Sequence, residues 1–237
     1  MDSNVDLNNI YNRTEMLLGS DKLNVLKSSK VLLLGIGGVG SFVLEALARV
    51  GIMNITIVDK DIVDITNINR QIIATTKTIG MYKVNVAKER VLNINPNITV
   101  TDIKLNLNSE NISNIIDDTY DYVIDCIDDF KAKISVIEYC YDNNIKIISS
   151  MGMANKLNPL NIKVSDIFKT SQCKLAKKVR KTLKELHIEK LKVVYSVEET
   201  KEILTTNNDG ILGSVSFVPS VAGLIIASEI VKDLVGI

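Results

Sequence analysis

One glycine-rich segment constrains the fold of this 237-residue chain more than any other feature. The segment GIGGVGS (35–41) directly follows an apolar run at residues 30–36 and opens a helical pattern at residues 38–51. A buried strand, a glycine turn and a helix in this order bring backbone N–H groups and the positive end of a helix close to a phosphate. The segment therefore predicts a nucleotide-binding turn that is formed by Gly35, Gly37, Gly38, Gly40 and Ser41.

Apolar runs and helical patterns alternate through the first part of the chain. Strands are predicted at 53–61, 98–104, 120–128 and 145–153, and helices at 82–95, 109–118 and 130–144. Strands separated by helices are typical of a parallel sheet that is covered on both faces. We therefore predict an α/β, Rossmann-like fold with a mainly parallel sheet and helices on both faces, followed by a C-terminal substrate-facing segment that ends in an apolar helix.

Composition excludes several classes of protein. Lys and Arg together number 28, as do Asp and Glu, so the surface is not basic throughout, although a local basic patch stays open. The three cysteines, Cys126, Cys140 and Cys173, form no CxxC pair, which argues against a disulfide framework and the usual zinc spacing. The first residues lack the apolar core of a secretion signal, and we expect a cytoplasmic protein.

The C-terminal segment 215–237 is apolar enough to raise the question of a membrane span. A proline, serines and charged residues interrupt it, and no apolar run approaches the roughly 20 residues that a span needs. We expect a helix that packs against the sheet or against a second subunit.

Charged residues after the glycine segment fit a triphosphate better than a dinucleotide. Asp59 ends the second predicted strand, where a carboxylate can accept hydrogen bonds from ribose hydroxyls. Arg70 and Lys83 follow and can neutralise phosphate charge, and Asp128, at the end of a later strand, is placed to hold Mg²⁺. The alternative is that Arg70 and Lys83 are solvated surface charges and that Asp128 caps a helix. The occurrence of all four in this order favours the triphosphate.

The motifs GxGGxGS, DxDxVxxxNxxRQ, GxxK and DCxD occur in this order between residues 35 and 128. Together they resemble the ThiF/MoeB superfamily of ubiquitin-activating-enzyme-like adenylating enzymes, which transfer AMP from ATP to a carboxylate. The segment YNR (11–13) is similar to the N-terminal arginine motif of these enzymes, whose arginine reaches the ATP of the other subunit in a homodimer. The resemblance implies ATP, Mg²⁺ held by Asp128, catalytic roles for Arg13, Arg70, Lys83 and Asp128, and further nucleotide contacts from Asp59, Asp61, Asn67 and Gln71.

The second half resembles one branch of this superfamily, the tRNA threonylcarbamoyladenosine dehydratases. The similar stretches are NIKVSDIFKT (161–170), LAKKVRKTLK (175–184), VYSVE (194–198) and GSV (213–215). This branch uses ATP to cyclise a modified adenosine in tRNA through an acyl adenylate. The attacking group lies on the same side chain, so that no enzyme thiol is required. Cys173 accordingly is interpreted as a structural cysteine rather than a nucleophile.

A lysine-rich stretch at 169–192 is the sequence feature that fits a tRNA substrate. Its nine Lys and Arg residues are accompanied by only two glutamates, and such a patch can contact a phosphate backbone. The alternative is a solvated helix face. With the resemblance, we predict tRNA contacts from Lys174, Lys177, Lys178, Lys181 and Lys184.

The resemblance also implies an organisation for the whole chain. We expect one ThiF-type domain over 1–237, with an ATP-binding core at 1–155 and a segment for tRNA, substrate and dimer contacts at 156–237. A bound monovalent cation and sulfur-transfer proteins as partners stay open, and no zinc is expected. The stretch between Glu198 and Gly213 is shorter than is typical of the branch, which leaves substrate contacts there open.

Three other functions remain open at the level of sequence. The first is an adenylyltransferase that activates the C-terminus of a ubiquitin-like sulfur-carrier protein with the same nucleotide residues. The second is an ATP-binding regulatory or scaffold module without turnover, against which the complete set of charged residues argues. The third and weakest is an NAD dehydrogenase.

Overall fold

The computed structural model describes residues 10–202 and 212–237. The helices of this part are α1 (Asn12–Leu18), α2 (Ser20–Ser28), α3 (Gly40–Val50), α4 (Lys83–Ile94), α5 (Phe130–Asp142), α6 (Lys174–Glu185) and α7 (Phe217–Val235). Its strands are β1 (Lys30–Leu34), β2 (Asn54–Val58), β3 (Thr99–Ile103), β4 (Tyr122–Asp125), β5 (Ile147–Ser150), β6 (Ile162–Asp166) and β7 (Lys192–Ser196).

These strands form one sheet in the order β3-β2-β1-β4-β5-β7-β6. All pairs are parallel except β6 with β7. The register places Leu34 beside both Val58 and Asp125, so that β1, β2 and β4 end level with one another. The chain moves outward from β1 to β3 and then returns to β4 on the other side of β1, which opens a crevice at the carboxyl ends of the strands. The predicted Rossmann-like fold is confirmed.

Both faces of the sheet are covered, as the continuous apolar strands predict. Val31 and Leu33 of β1 pack in one core with residues of α3, α4 and α7. Leu32 and Leu34 pack on the opposite face with residues of α5, and α5 and α6 enclose a third cluster against β7. The sheet continues through β6 and β7, so the residues on either side of position 155 share one sheet.

The prediction of a helix at 109–118 is wrong. Only a single 3₁₀ turn, Ile112–Asn114, forms there. The side chain of Asn108 accepts hydrogen bonds from the backbone N–H groups of Glu110 and Asn111, and that of Asn111 donates to the carbonyl of Asn106. Such short polar side chains offer the backbone partners that compete with a helix, although Ile112 is still buried against the sheet.

Helix α7 is packed along α3 rather than left on the surface. Val218, Ala222, Ile226 and Ile230 recur at every fourth position and are fully buried. Gly223 lies where a Cβ would come within 2.5 Å of the Val39 carbonyl oxygen, so glycine permits the close approach of the two helices. In the part of the chain that the structure describes, no helix is both long enough and apolar enough to span a membrane.

Candidate active site

A cavity of about 730 Å³ opens at the carboxyl ends of the strands, where the connections that follow β1 and β4 run in opposite directions along the sheet. Its wall comes from the segments that follow β1, β2, β3, β4 and β5, together with residues of α6 and the start of α7. The size of this cavity falls within the range of small-molecule and cofactor sites. The topological switch of the sheet therefore creates the predicted nucleotide crevice.

The glycine segment lies in this crevice with the geometry that a phosphate requires. Gly35 has φ +88°, and a Cβ there would come within 2.7 Å of the carbonyl oxygen of Cys126, which directly follows β4. A Cβ on Gly40 would overlap the carbonyl of Gly35, so the turn between strand and helix can close only over glycine. Gly37 has no atom within 4 Å of its Cβ position and lines the cavity. A phosphate can therefore approach the backbone here closely.

Asp59 connects the glycine turn to the end of β2. Its Oδ2 accepts a 2.6 Å hydrogen bond from the backbone N–H of Ile36, and its Oδ1 accepts one of 2.8 Å from that of Asp61. The half-buried carboxylate also lines the cavity. These two backbone bonds fix its orientation beside the phosphate turn, where the predicted ribose contact requires it.

Two cations face the same part of the cavity. Lys83 begins α4 and is 7% exposed, and its Nζ lies 2.9 Å from Oδ2 of the half-exposed Asp61. Arg70 donates from Nη1 to the Thr66 carbonyl at 2.8 Å and to Asn69 Oδ1 at 2.9 Å, and its aliphatic part lies over Gly38. Both cations are thus bonded to protein groups at the cavity wall.

The two acids at the end of β4 have different surroundings. Asp129 is the N-cap of α5, and its carboxylate accepts a 2.8 Å hydrogen bond from the Ala132 N–H. Asp128 and Asp129 are both exposed and line the cavity. The helix cap that the sequence allowed for Asp128 is formed by Asp129 instead.

Further residues of the predicted site divide into two groups. Asn67 and Gln71 are buried in the cavity wall, and Gln71 Oε1 has no hydrogen-bond partner within the described residues. Gly40 and Ser41 lie behind the wall in α3, where the Ser41 hydroxyl accepts a hydrogen bond from the Ile72 N–H. Ser41 thus supports the turn from inside, and its predicted contact with the nucleotide stays a prediction.

The end of the cavity opposite the glycine turn is apolar, and it was not predicted from the sequence. Its residues follow β3 and β5 or belong to α6, namely Leu105, Leu107, Met151, Met153, Ala154 and Leu175. The order of strands could have predicted this apolar end, because the segments after β3 and β5 must lie at the same edge of the sheet as the glycine turn. Cys126 also borders the cavity, but burial and then the nearby Asp125 raise the pKa of its thiol, which keeps it protonated.

Arg13 lies away from the cavity. The neighbouring Tyr11 is buried and donates from its hydroxyl to the Ala48 carbonyl at 3.1 Å, while Asn95 donates to it at 2.9 Å. Ala48 lies in the last turns of α3, about 12 Å along the helix from the glycine turn at the other end. Arg13 itself is exposed and is not part of the cavity wall.

The predicted tRNA lysines lie together on the outer side of α6. Lys174, Lys177, Lys178, Lys181 and Lys184 are all exposed and line one shallow surface. The inner side of α6 buries Ala176, Val179 and Leu183, and Cys173 is the buried N-cap whose sulfur accepts the Ala176 N–H. This position supports the interpretation of Cys173 as structural.

The basic surface and the cavity share residues of the same helix. Leu175 of α6 borders the cavity, between Lys174 and the next exposed lysines. Lys178 Nζ lies 3.7 Å from the ring centroid of Phe130, which begins α5 directly after Asp129. A polyanion bound to α6 is therefore adjacent to the opening of the cavity.

Fold and site together define an adenylating protein of the ThiF type, and the chain belongs to the ThiF family, which it matches over residues 11–237. It is 41% identical to the tRNA threonylcarbamoyladenosine dehydratase of Bacillus subtilis over 240 residues, which cover 94% of each chain. It also resembles the solved E. coli tRNA N6-threonylcarbamoyladenosine dehydratase in complex with ATP and with AMP. Each of these comparisons gives a TM-score of 0.91 at 32% or 33% identity and covers 100% of this chain and 98% of that one.

The similarity to adenylyltransferases outside the dehydratase branch covers a smaller part of the chain. An adenylyltransferase and sulfurtransferase of Scheffersomyces stipitis is 44% identical over 103 residues, which cover 44% of this chain and 23% of that protein. The match to the dehydratases extends over the second half as well. The resemblance to the dehydratase branch that the sequence motifs indicated is thus confirmed.

Proposed function

We propose that this protein is an ATP-dependent dehydratase that cyclises threonylcarbamoyladenosine in tRNA. The observation that carries the proposal is full-length similarity to such dehydratases in a chain whose cavity joins a phosphate turn, two bonded cations and an apolar end. The two ends of the cavity fit the two substrates. ATP occupies the glycine side, and the modified nucleoside enters from the apolar side.

The reaction has two steps. The carboxylate of the threonylcarbamoyl side chain attacks the α-phosphorus of ATP, and pyrophosphate leaves. The carbamoyl group of the same side chain then loses a proton as it attacks the acyl carbon, the ring closes, and AMP leaves. The net change is the loss of one water from the nucleoside, coupled to cleavage of ATP. Because the nucleophile is already tethered, its high effective concentration replaces an enzyme thiol.

Arg70 and Lys83 supply positive charge for the phosphates during adenylation. Both are already bonded at the cavity wall, so they require little reorganisation when charge develops in the transition state. Asp61 holds the Lys83 ammonium beside the phosphate turn. Its own partial exposure leaves it able to yield that ammonium to a phosphate oxygen.

The site fits one magnesium ion that is bound with the nucleotide. Mg²⁺ in such sites is usually held by one or two carboxylates together with phosphate oxygens and water. Asp128 supplies one exposed carboxylate at the phosphate side, and the described residues contain no cluster of three or more acidic, His or Cys side chains that could hold a metal alone. Mg²⁺ supplies charge neutralisation on the phosphates when it is bound.

The tRNA lies across α6, and the active unit is a homodimer that shares its sites. The exposed lysines of α6 neutralise backbone phosphates on one side of the cavity opening. Arg13 is anchored at the far end of α3 by Tyr11 and completes the ATP site of the second subunit. In the proposed organisation, residues 1–155 form the ATP-binding core, and residues 156–237 contribute the contacts with tRNA and the partner. The stretch between Glu198 and Gly213 falls largely outside the described residues.

The alternative is adenylation of a sulfur-carrier protein, which the same ATP site also allows. AMP release from ATP separates the two functions when the enzyme is given tRNA with threonylcarbamoyladenosine, the same tRNA without the modification, or a carrier protein with a free C-terminal carboxylate. The proposal requires release with the modified tRNA alone. Release that depends on the carrier protein would support the alternative.

A further inference from the structure

A fully buried ion pair lies directly beneath the cavity. The side chains of Lys133 on α5 and Asp125 on β4 are both 0% exposed, and Nζ lies 2.6 Å from Oδ2. The ammonium also donates to the Ser150 carbonyl at 3.0 Å and to Ser149 Oγ at 3.3 Å, while the Ser149 hydroxyl donates to Asp125. All three donors of the ammonium therefore have acceptors.

This ammonium connects the ends of two strands that carry different parts of the cavity. Asp125 is the last residue of β4, and its Oδ1 accepts a 3.0 Å hydrogen bond from the N–H of Ile127, directly before Asp128. Ser150 is the last residue of β5, and the cavity wall continues from it into Met151. The phosphate side and the apolar side of the cavity thus meet at one side chain.

Stability alone does not account for such a pair. Desolvation of two charges costs so much that apolar residues of similar volume often stabilise a core equally well or better. A surrounding apolar core is present, since the neighbours Ala132 and Val136 on α5 are buried among aliphatic side chains. What the pair adds is directional bonding, which fixes the ends of β4 and β5 relative to each other.

We propose that Lys133 is a positioning residue that, through Asp125 and the Ser150 carbonyl, holds the loop of Asp128 and the end of β5 in the geometry for adenylation. This inference rests on the proposed function and names a residue that does not touch either substrate. Because the hydrogen bonds of the pair go to the ends of β4 and β5 rather than to Arg70, Lys83 or the glycine turn, its loss affects the alignment of the carboxylate with the α-phosphate more than ATP affinity. The signature is a fall in kcat with little change in KM for ATP.

The double variant Lys133→Met/Asp125→Asn tests the proposal, because it removes both buried charges together and leaves no unpaired ion. We expect a folded protein with an unfolding temperature close to that of the wild type and ATP binding within about threefold. We expect kcat for AMP release with modified tRNA to fall by about 30- to 100-fold, since small misplacement of reacting groups has effects of this size. The double variant Lys88→Met/Asp102→Asn, which removes an ion pair between α4 and β3 outside the cavity wall, is the matched control and retains kcat.

Ser149→Ala provides a second variant that removes one donor to Asp125 with little change in volume. It is expected to lower kcat by about 3- to 10-fold without changing ATP affinity, and it decides the question if the double variant does not fold. Wild-type kcat in a folded double variant, or an equal loss of kcat and ATP affinity, would overturn the positioning role. A wild-type protein that releases no AMP with modified tRNA would instead overturn the proposed function, so the two failures are distinguishable.

Discussion

Asp128 and Asp129 are adjacent carboxylates with opposite predicted roles. Asp128→Ala removes an exposed charge at the cavity, so we expect loss of turnover by more than about 100-fold with an unchanged unfolding temperature. Asp129→Ala removes the N-cap of α5 and should cost about 1 kcal/mol of stability while leaving much of the turnover. AMP release and thermal unfolding of both variants check this. Wild-type turnover in Asp128→Ala would contradict the assignment.

At the residue scale, the sequence predicts which side chains meet where the topology of the sheet decides it. Asp59, Arg70, Lys83 and Asp128 line one cavity because the segments after neighbouring parallel strands share one edge of the sheet. Their contacts with ATP and Mg²⁺ stay predictions. The role of Lys133 could not be predicted, because a buried lysine and the exposed Lys131 two positions earlier look alike in sequence. The burial of Lys133 depends on which side of α5 faces the sheet and on the presence of the Asp125 carboxylate as an acceptor there.

At the scale of single elements, α6 carries the prediction for tRNA binding. Neutralising Lys177, Lys178 and Lys181 together should weaken tRNA binding several-fold at low salt and flatten its salt dependence, because fewer phosphates are contacted, while ATP binding stays unchanged. The control neutralises the exposed Lys30, Lys77 and Lys163, which changes the net charge equally but lies elsewhere on the fold. Titrations over a series of salt concentrations measure both. An equal effect of the two triple variants would show that the lysines of α6 are solvated surface charges without a specific role in tRNA binding.

The elements themselves were predicted where apolar spacing is strong and missed where local polar bonding competes. The strands β1 to β5 and the helices α3, α4, α5 and α7 lie within a few residues of their predicted bounds, whereas β6 and β7 were not predicted. The segment 109–118 has helical spacing of isoleucines but forms only one turn, because asparagine side chains satisfy its backbone. The close contact of α7 with α3 at Gly223 depends on tertiary packing that the spacing of apolar residues does not reveal.

At the scale of the whole molecule, the proposed homodimer with shared sites predicts complementation between two inactive variants. Arg13→Ala and Asp128→Ala should each be nearly inactive alone. After unfolding and refolding at equal amounts, half of the dimers are mixed, and each mixed dimer has one site with both defects and one with neither. Activity should then recover to about a quarter of wild type, given random pairing in a closed two-fold dimer. If recovery is absent although subunit exchange is demonstrated, Arg13 does not act in the partner's site.

A second whole-molecule prediction concerns pH. Lys192 of β7 contacts Glu229 and Asp233 of α7 at 2.8 and 2.9 Å. Burial opposes ionisation of Asp233, but hydrogen bonds from Tyr122 and Lys192 outweigh it and lower its pKa, and those from Lys192 and Lys232 likewise lower the pKa of Glu229. Groups with lowered pKa stabilise the fold above their unfolded pKa near 4 and lose this contribution as pH falls through the folded pKa.

Burial opposes ionisation of Lys192, but the hydrogen bonds and charges of Glu229 and Asp233 outweigh burial and raise its pKa. The contribution of Lys192 to stability is therefore present at neutral pH and is lost only above pH 10.5. Lys192→Met should therefore cost ~1 kcal/mol at pH 7, or a fall of about 2–4 °C in the unfolding temperature. The difference from wild type should shrink below pH about 4. Thermal unfolding from pH 3 to 8 measures it, and a constant difference over that range would contradict the account.

The most direct test of the proposed dehydration is the mass of the nucleoside that the protein produces. Purified protein is incubated with ATP, Mg²⁺ and tRNA that carries threonylcarbamoyladenosine, and the tRNA is then digested to nucleosides for mass spectrometry. We expect the modified nucleoside to become lighter by one water, and AMP and pyrophosphate to appear in equal amounts with it. Formation of AMP while the nucleoside keeps its full mass would contradict the proposed dehydration.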